Sequence, residues 1–213
     1  MRYLYLHGFA SGPLSRKARA FRAALAVNGI EIDIPDLAEG RFDQLTISGQ
    51  LDVIARALQG RSARLVGSSL SGYLAALYAA AHSEVERLVL LAPAFDFPTR
   101  WSQLAGPEKM QNWRETGLSE VFHYGDNTMR YLHYGFYEDA LSYDPKPAFT
   151  QPALIFHGVH DETVPVGYSR AFSATHPNAS LREVDSDHDL LNALDDITTA
   201  AVPFLLGSAD PGF

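Results

Sequence analysis

Ser69 stands in the run Gly67-Ser68-Ser69-Leu70-Ser71-Gly72, between an apolar strand-like stretch at residues 63–66 and an apolar helical stretch at 72–81. A serine on a tight strand-to-helix turn can act as a nucleophile. It needs small residues two positions to either side, because the backbone is crowded there. Ser69 has Gly67 and Ser71 at those places. Ser68 has Val66 and Leu70, and Ser71 has Ser69 and Tyr73 and falls inside the helical stretch. Ser69 is therefore the candidate. The pattern is G-x-S-x-S-G rather than G-x-S-x-G, and a serine that merely caps a helix is the plainer alternative.

A serine hydroxyl needs an adjacent base, and the base needs an orienting group. After an apolar run at 153–156 the chain reads His157-Gly158-Val159-His160-Asp161-Glu162, and after a second run at 180–184 it reads Asp185-Ser186-Asp187-His188-Asp189. Asp161 as acid and His188 as base give the chain order nucleophile, acid, base, with one helix and one strand between the last two. Glu162 is an alternative acid, His160 a rival base, and Asp161 could simply cap a helix starting near Val164. His157, His160, Asp161 and His188 can also be drawn as a metal cluster, but no further ligand motif accompanies them. His157 is expected to pack at its strand end.

Acyl transfer also needs donors for a developing oxyanion. The first strand-like run ends His7-Gly8-Phe9-Ala10-Ser11-Gly12-Pro13. A glycine turn there lets a backbone N–H face the nucleophile, with the Leu70 N–H as the second donor. A simple strand–helix loop is the alternative. A neutral His188 is required for attack, so activity should rise with pH through roughly 6–8.

Such groups meet only if a scaffold brings them to one edge. Strand-like runs at 2–6, 30–34, 63–66, 85–91, 153–156 and 180–184 alternate with helical patterns. Ala18, Phe21 and Leu25, preceded by Leu14, make one apolar stripe. Ile47, Leu51, Ile54 and Leu58 make a second, and Leu190, Leu194, Ile197, Ala201 and Phe204 a third. Continuous apolar runs such as Leu88-Val89-Leu90-Leu91 imply strands buried on both faces. The expected fold is α/β: a doubly wound, mainly parallel six-stranded sheet in a single domain over residues 1–213. Residues 96–150 interrupt the alternation and carry eleven of the 24 aromatics. They are expected to form a helical cap, with Trp101, Trp113, Tyr134 and Phe136 lining a substrate pocket.

The 213 residues suit one core, and the absence of cysteine excludes disulfides and thiolate chemistry. A net charge of −8 argues against a nucleic-acid partner. The apolar stretches are too short for a membrane span, and no leader pattern opens the chain, so a cytoplasmic location is expected.

The run Tyr5-Leu6-His7-Gly8-Phe9-Ala10-Ser11-Gly12-Pro13, the Gly67-Ser68-Ser69-Leu70 turn, His157-Gly158 followed by Asp161, and the late Asp187-His188 pair resemble the small bacterial YqiA-like esterases of the α/β-hydrolase superfamily. Ser71 departs from them, standing where glycine is usual. The resemblance implies a reduced hydrolase core acting on short acyl esters or thioesters. It also implies a Ser69, Asp161, His188 triad, oxyanion donors on Phe9 and Leu70, and no metal or organic cofactor. The expected partner is a small-molecule ester or thioester. A thioesterase, an acyltransferase, a carbon–carbon bond hydrolase, or a binding protein keeping the pocket without the chemistry are the rival readings.

Overall fold

The computed structural model describes residues 1–208. Five parallel strands form the main sheet in the order β1 (Arg2–Leu6), β2 (Ala63–Ser68), β3 (Val85–Leu91), β6 (Ala153–Gly158), β7 (Ala179–Val184). Side chains alternate between two cores, as the strand period requires. Leu4, Leu6, Leu65, Leu88, Leu90 and Ile155 face α2 (Ile47–Leu58), α3 (Leu70–Ala81) and α6 (Gly167–Thr175). Tyr3, Tyr5, Val66, Val89, Leu91, Leu154 and Phe156 face α1 (Arg16–Ala26) and α7 (Leu194–Leu206). Helix α3 is buried along nearly its whole length, from Leu70 to Ala79, which suits a central helix that is apolar all round. Ser15 caps α1 and Thr46 caps α2 through their side-chain oxygens. Leu14 lies outside α1 and is exposed, so the first stripe is one residue shorter than expected.

The sheet has five hydrogen-bonded strands rather than the six expected. Residues 30–34 pair with β1 at a single isolated bridge, Leu4↔Asp33. Pro35 follows at once; it lacks an N–H for a ladder and restricts Ile34, so pairing stops.

Between β3 and β6 lie α4 (Phe97–Thr116), the antiparallel hairpin β4 (Leu118–His123) and β5 (Thr128–His133), and α5 (Gly135–Ala140). The insertion is thus mixed, not purely helical. Helix α4 is two helices joined at Gly106, whose φ of 78° and ψ of 161° break the run just before Pro107. The hairpin turns at Asn127, in the left-handed region. No described helix is long and apolar enough to cross a membrane.

Because every strand of the main sheet is parallel, the ends of β1, β2, β6 and β7 open onto one edge. That edge is where open α/β sheets hold their ligands.

Candidate active site

Ser69 follows β2 directly and adopts φ 55° and ψ −120°, a conformation costly for any side chain. The surroundings enforce it. Its N–H donates to the Leu91 carbonyl at 2.8 Å, and its carbonyl accepts from Gly72 at 2.9 Å and Ala94 at 3.0 Å. A Cβ on Gly67 would lie 2.3 Å from the Ser71 carbonyl oxygen, so only glycine fits. A Cβ on Gly72 would meet Pro93 at 3.0 Å. Position 72 is thus crowded as well, and a glycine stands there.

Asp161 lies in the loop after β6, and His188 in the loop after β7. His188 Nε2 is 3.0 Å from Ser69 Oγ, and its Nδ1 is 2.7 Å from Asp161 Oδ2. Gly158 makes this approach possible, since a Cβ there would fall 2.4 Å from the Ser186 and Asp187 carbonyl oxygens. The Asp161 carboxylate is out of solvent while the His188 ring is about one-fifth exposed (21%). Asp161 Oδ1 accepts from the Val164 N–H at 2.7 Å, so it also serves the local turn. Burial alone would raise its pKa. Hydrogen bonds from His157, His188 and the Val164 N–H outweigh burial and hold it well below the usual carboxylate range.

The rivals separate by position. His160 turns outward to Asp185, 2.8 Å away, with both side chains in water. Glu162 is exposed. Ser68 is buried in β2, and Ser71 donates its hydroxyl to the His7 carbonyl. The four residues of the conceivable metal cluster do not converge, because His160 leaves the group.

The loop after β1 runs beside the nucleophile. A Cβ on Gly8 would lie 3.7 Å from Ser69 Cβ. Among the described residues, neither the Phe9 nor the Leu70 N–H finds a hydrogen-bond acceptor. His7 is buried, and burial lowers its pKa; its Nε2 accepts from the Leu37 N–H at 3.3 Å. The cap of the loop comes from the hairpin turn, where the Gly125 N–H donates to the Ala10 carbonyl at 3.2 Å.

The aromatics of the insertion gather on the same loop. The Phe9 ring meets Trp101 edge-on at 5.2 Å and stacks with Phe136 at 5.5 Å. Trp113 and Tyr134 form the next layer, edge to face at 5.3 Å. Trp113 and Phe136 are buried, with Trp113 Nε1 donating to the Leu132 carbonyl at 3.0 Å, whereas Trp101 and Tyr134 are half-buried. Phe136 also lines a surface hollow of about 370 Å³ with Gln44, Leu45, Thr46, His133 and Gly135, none of them part of the Ser69 group.

Two residues of this site were not singled out for their role by sequence. His157 packs as expected, but its Nε2 also lies 3.1 Å from Asp161 Oδ2 and 2.7 Å from the Val164 carbonyl. Its Nδ1 lies 2.7 Å from Ser169 Oγ. The histidine four positions before Asp161 was the available signal. By sequence Ser71 is only a rejected nucleophile and a departure from a motif.

The architecture is that of an α/β hydrolase. Est1E from Butyrivibrio proteoclasticus superposes with a TM-score of 0.79 at 23% identity, over 97% of this chain and 87% of its own; it has also been solved with ferulic acid bound. Mouse alpha/beta hydrolase domain-containing protein 10 gives 0.81 at 20% identity, over 97% and 90%. A monoacylglycerol lipase from Paleococcus ferrophilus gives 0.71 at 15% identity, over 97% and 95%. No functionally curated protein matches the sequence. Residues 2–205 match the profile of the uncharacterised protein family UPF0227, and the chain belongs to that family.

Proposed function

We propose that this protein is a serine esterase that cleaves carboxylic esters of small or medium acyl groups through an acyl-enzyme. The observation that carries the reading is the continuous line from Ser69 Oγ through the His188 ring to Asp161, at 3.0 and 2.7 Å.

In the first half-reaction the Ser69 oxygen attacks the ester carbonyl as its proton passes to His188 Nε2. Asp161, ionised, accepts from Nδ1–H and fixes the tautomer that leaves Nε2 free to take the proton. The carbonyl oxygen becomes an oxyanion and draws the free N–H groups of Phe9 and Leu70. The tetrahedral species collapses, and His188 returns the proton to the departing alkoxide. Water then attacks the acyl-enzyme with His188 again as base, freeing the acid and restoring Ser69. These groups suffice without a metal or organic cofactor. The Phe9 and Trp101 rings form an apolar pair at the loop after β1, and the ferulic acid held by Est1E makes esters of aromatic acids a class to include among substrates.

A fluorophosphonate probe tests the nucleophile. The expected adduct is on Ser69, forming about 10³-fold more slowly in His188→Ala. An adduct on another serine, or labelling at an undiminished rate in His188→Ala, would overturn the assignment.

A further inference from the structure

We infer that Ser71 is a positioning residue for the oxyanion hole, an inference that rests on the serine-hydrolase reading and deepens it. The two N–H donors belong to different elements, Phe9 to the loop after β1 and Leu70 to the start of α3. Their separation must be held to a fraction of an ångström for an oxyanion to feel both. The β1–β2 ladder cannot hold it, because its last pair is Leu6↔Gly67.

The next link is the Ser71 hydroxyl, which donates to the His7 carbonyl across 64 positions of chain. That carbonyl lies two residues before the Phe9 N–H, and Ser71 lies one residue after Leu70. The bond therefore ties together the two elements that carry the donors. The loop's other ties lead elsewhere: Leu37 N–H to His7 Nε2, and Gly125 N–H to the Ala10 carbonyl. Among the described residues, Ser71 makes the only hydrogen bond from α3 to this loop. Ser71 is 1% exposed, so bulk water does not reach its hydroxyl. The tight contact with Pro93 is made by Gly72, not by Ser71. A glycine at 71 would leave the turn intact and the tie absent.

The test compares full-length wild type with Ser71→Gly, Ser71→Ala and Ser69→Ala on one p-nitrophenyl ester. It adds inhibition by an acyl trifluoromethyl ketone, which forms a serine-bound oxyanion. The expected result in both Ser71 variants is a fall in kcat of about 10- to 100-fold, with KM changed less than about threefold. Inhibition by the ketone weakens by a similar factor, while the pH at which activity sets in stays put. Wild-type kcat in both variants would overturn the inference. So would a loss of kcat without weakened ketone binding, or one accounted for by a smaller folded fraction in circular dichroism. Retained activity in Ser69→Ala would instead overturn the hydrolase reading itself, and this inference with it.

Discussion

His157 Nε2 lies 3.1 Å from Asp161 Oδ2, with both side chains fully out of solvent. That oxygen is the one His188 Nδ1 reaches at 2.7 Å, so two imidazoles converge on a single acceptor. The pairing explains how a carboxylate stays ionised where burial opposes it. Lys17 on α1 adds a nearby cation; burial lowers its pKa, while Asp189, Asp161 and Asp187 pull it the other way.

A depressed carboxylate pKa has a definite sign for stability. The contribution is complete above the unfolded value, about 4, and is lost as pH falls toward the folded one. Asp161→Asn should therefore cost about 1–3 kcal/mol near pH 7, with the difference from wild type shrinking as pH drops below about 4. His157→Leu removes one donor, makes Asp161 easier to protonate, and should move the acid unfolding midpoint to higher pH. Urea titrations across the acid range measure both. A difference for Asp161→Asn that grows toward low pH would contradict this account.

The turn at Ser69 gives a graded steric prediction. Gly67→Ala puts a methyl 2.3 Å from a backbone oxygen that cannot retreat without unwinding the start of α3. It should cost more than about 3 kcal/mol or prevent folding, while Gly72→Ala, with contacts at 3.0 Å, should cost about 1–3 kcal/mol. Thermal unfolding of the two variants checks the order, and a Gly67→Ala protein as stable as wild type would refute it.

Two tryptophans of the insertion should behave differently. Trp113 is buried and hydrogen-bonded, so Trp113→Ala should lose about 3–5 kcal/mol. Trp101 is half-buried against Phe9, so Trp101→Ala should chiefly alter the preferred acyl length. Denaturant midpoints and a chain-length profile for each variant separate the roles. Unchanged preference in Trp101→Ala would remove the insertion from the acyl site.

Strands β1 and β3 were legible to the residue because Tyr3-Leu4-Tyr5-Leu6 and Leu88-Val89-Leu90-Leu91 bury both faces, and only a covered parallel sheet needs such runs. That Ser69, Asp161 and His188 would meet was legible because each follows a strand, and parallel strands bring their ends together. The hairpin escaped because its alternation is masked by exposed apolar side chains. Phe122, Met129 and Tyr131 point to solvent on the same strands that bury His123 and Leu132. The sixth strand was overcounted because Ile30, Ile32 and Ile34 look strand-like while Pro35 denies them a ladder. The tie between Ser71 and His7 was beyond a local reading, since the partners are 64 positions apart and meet only through the β1–β2 register.

The most direct test of the account is hydrolysis of p-nitrophenyl esters from acetate to decanoate by wild type and Ser69→Ala. The account predicts turnover with a distinct chain-length optimum in wild type and a loss of at least about 10³-fold in the variant. Activity that survives Ser69→Ala would contradict it.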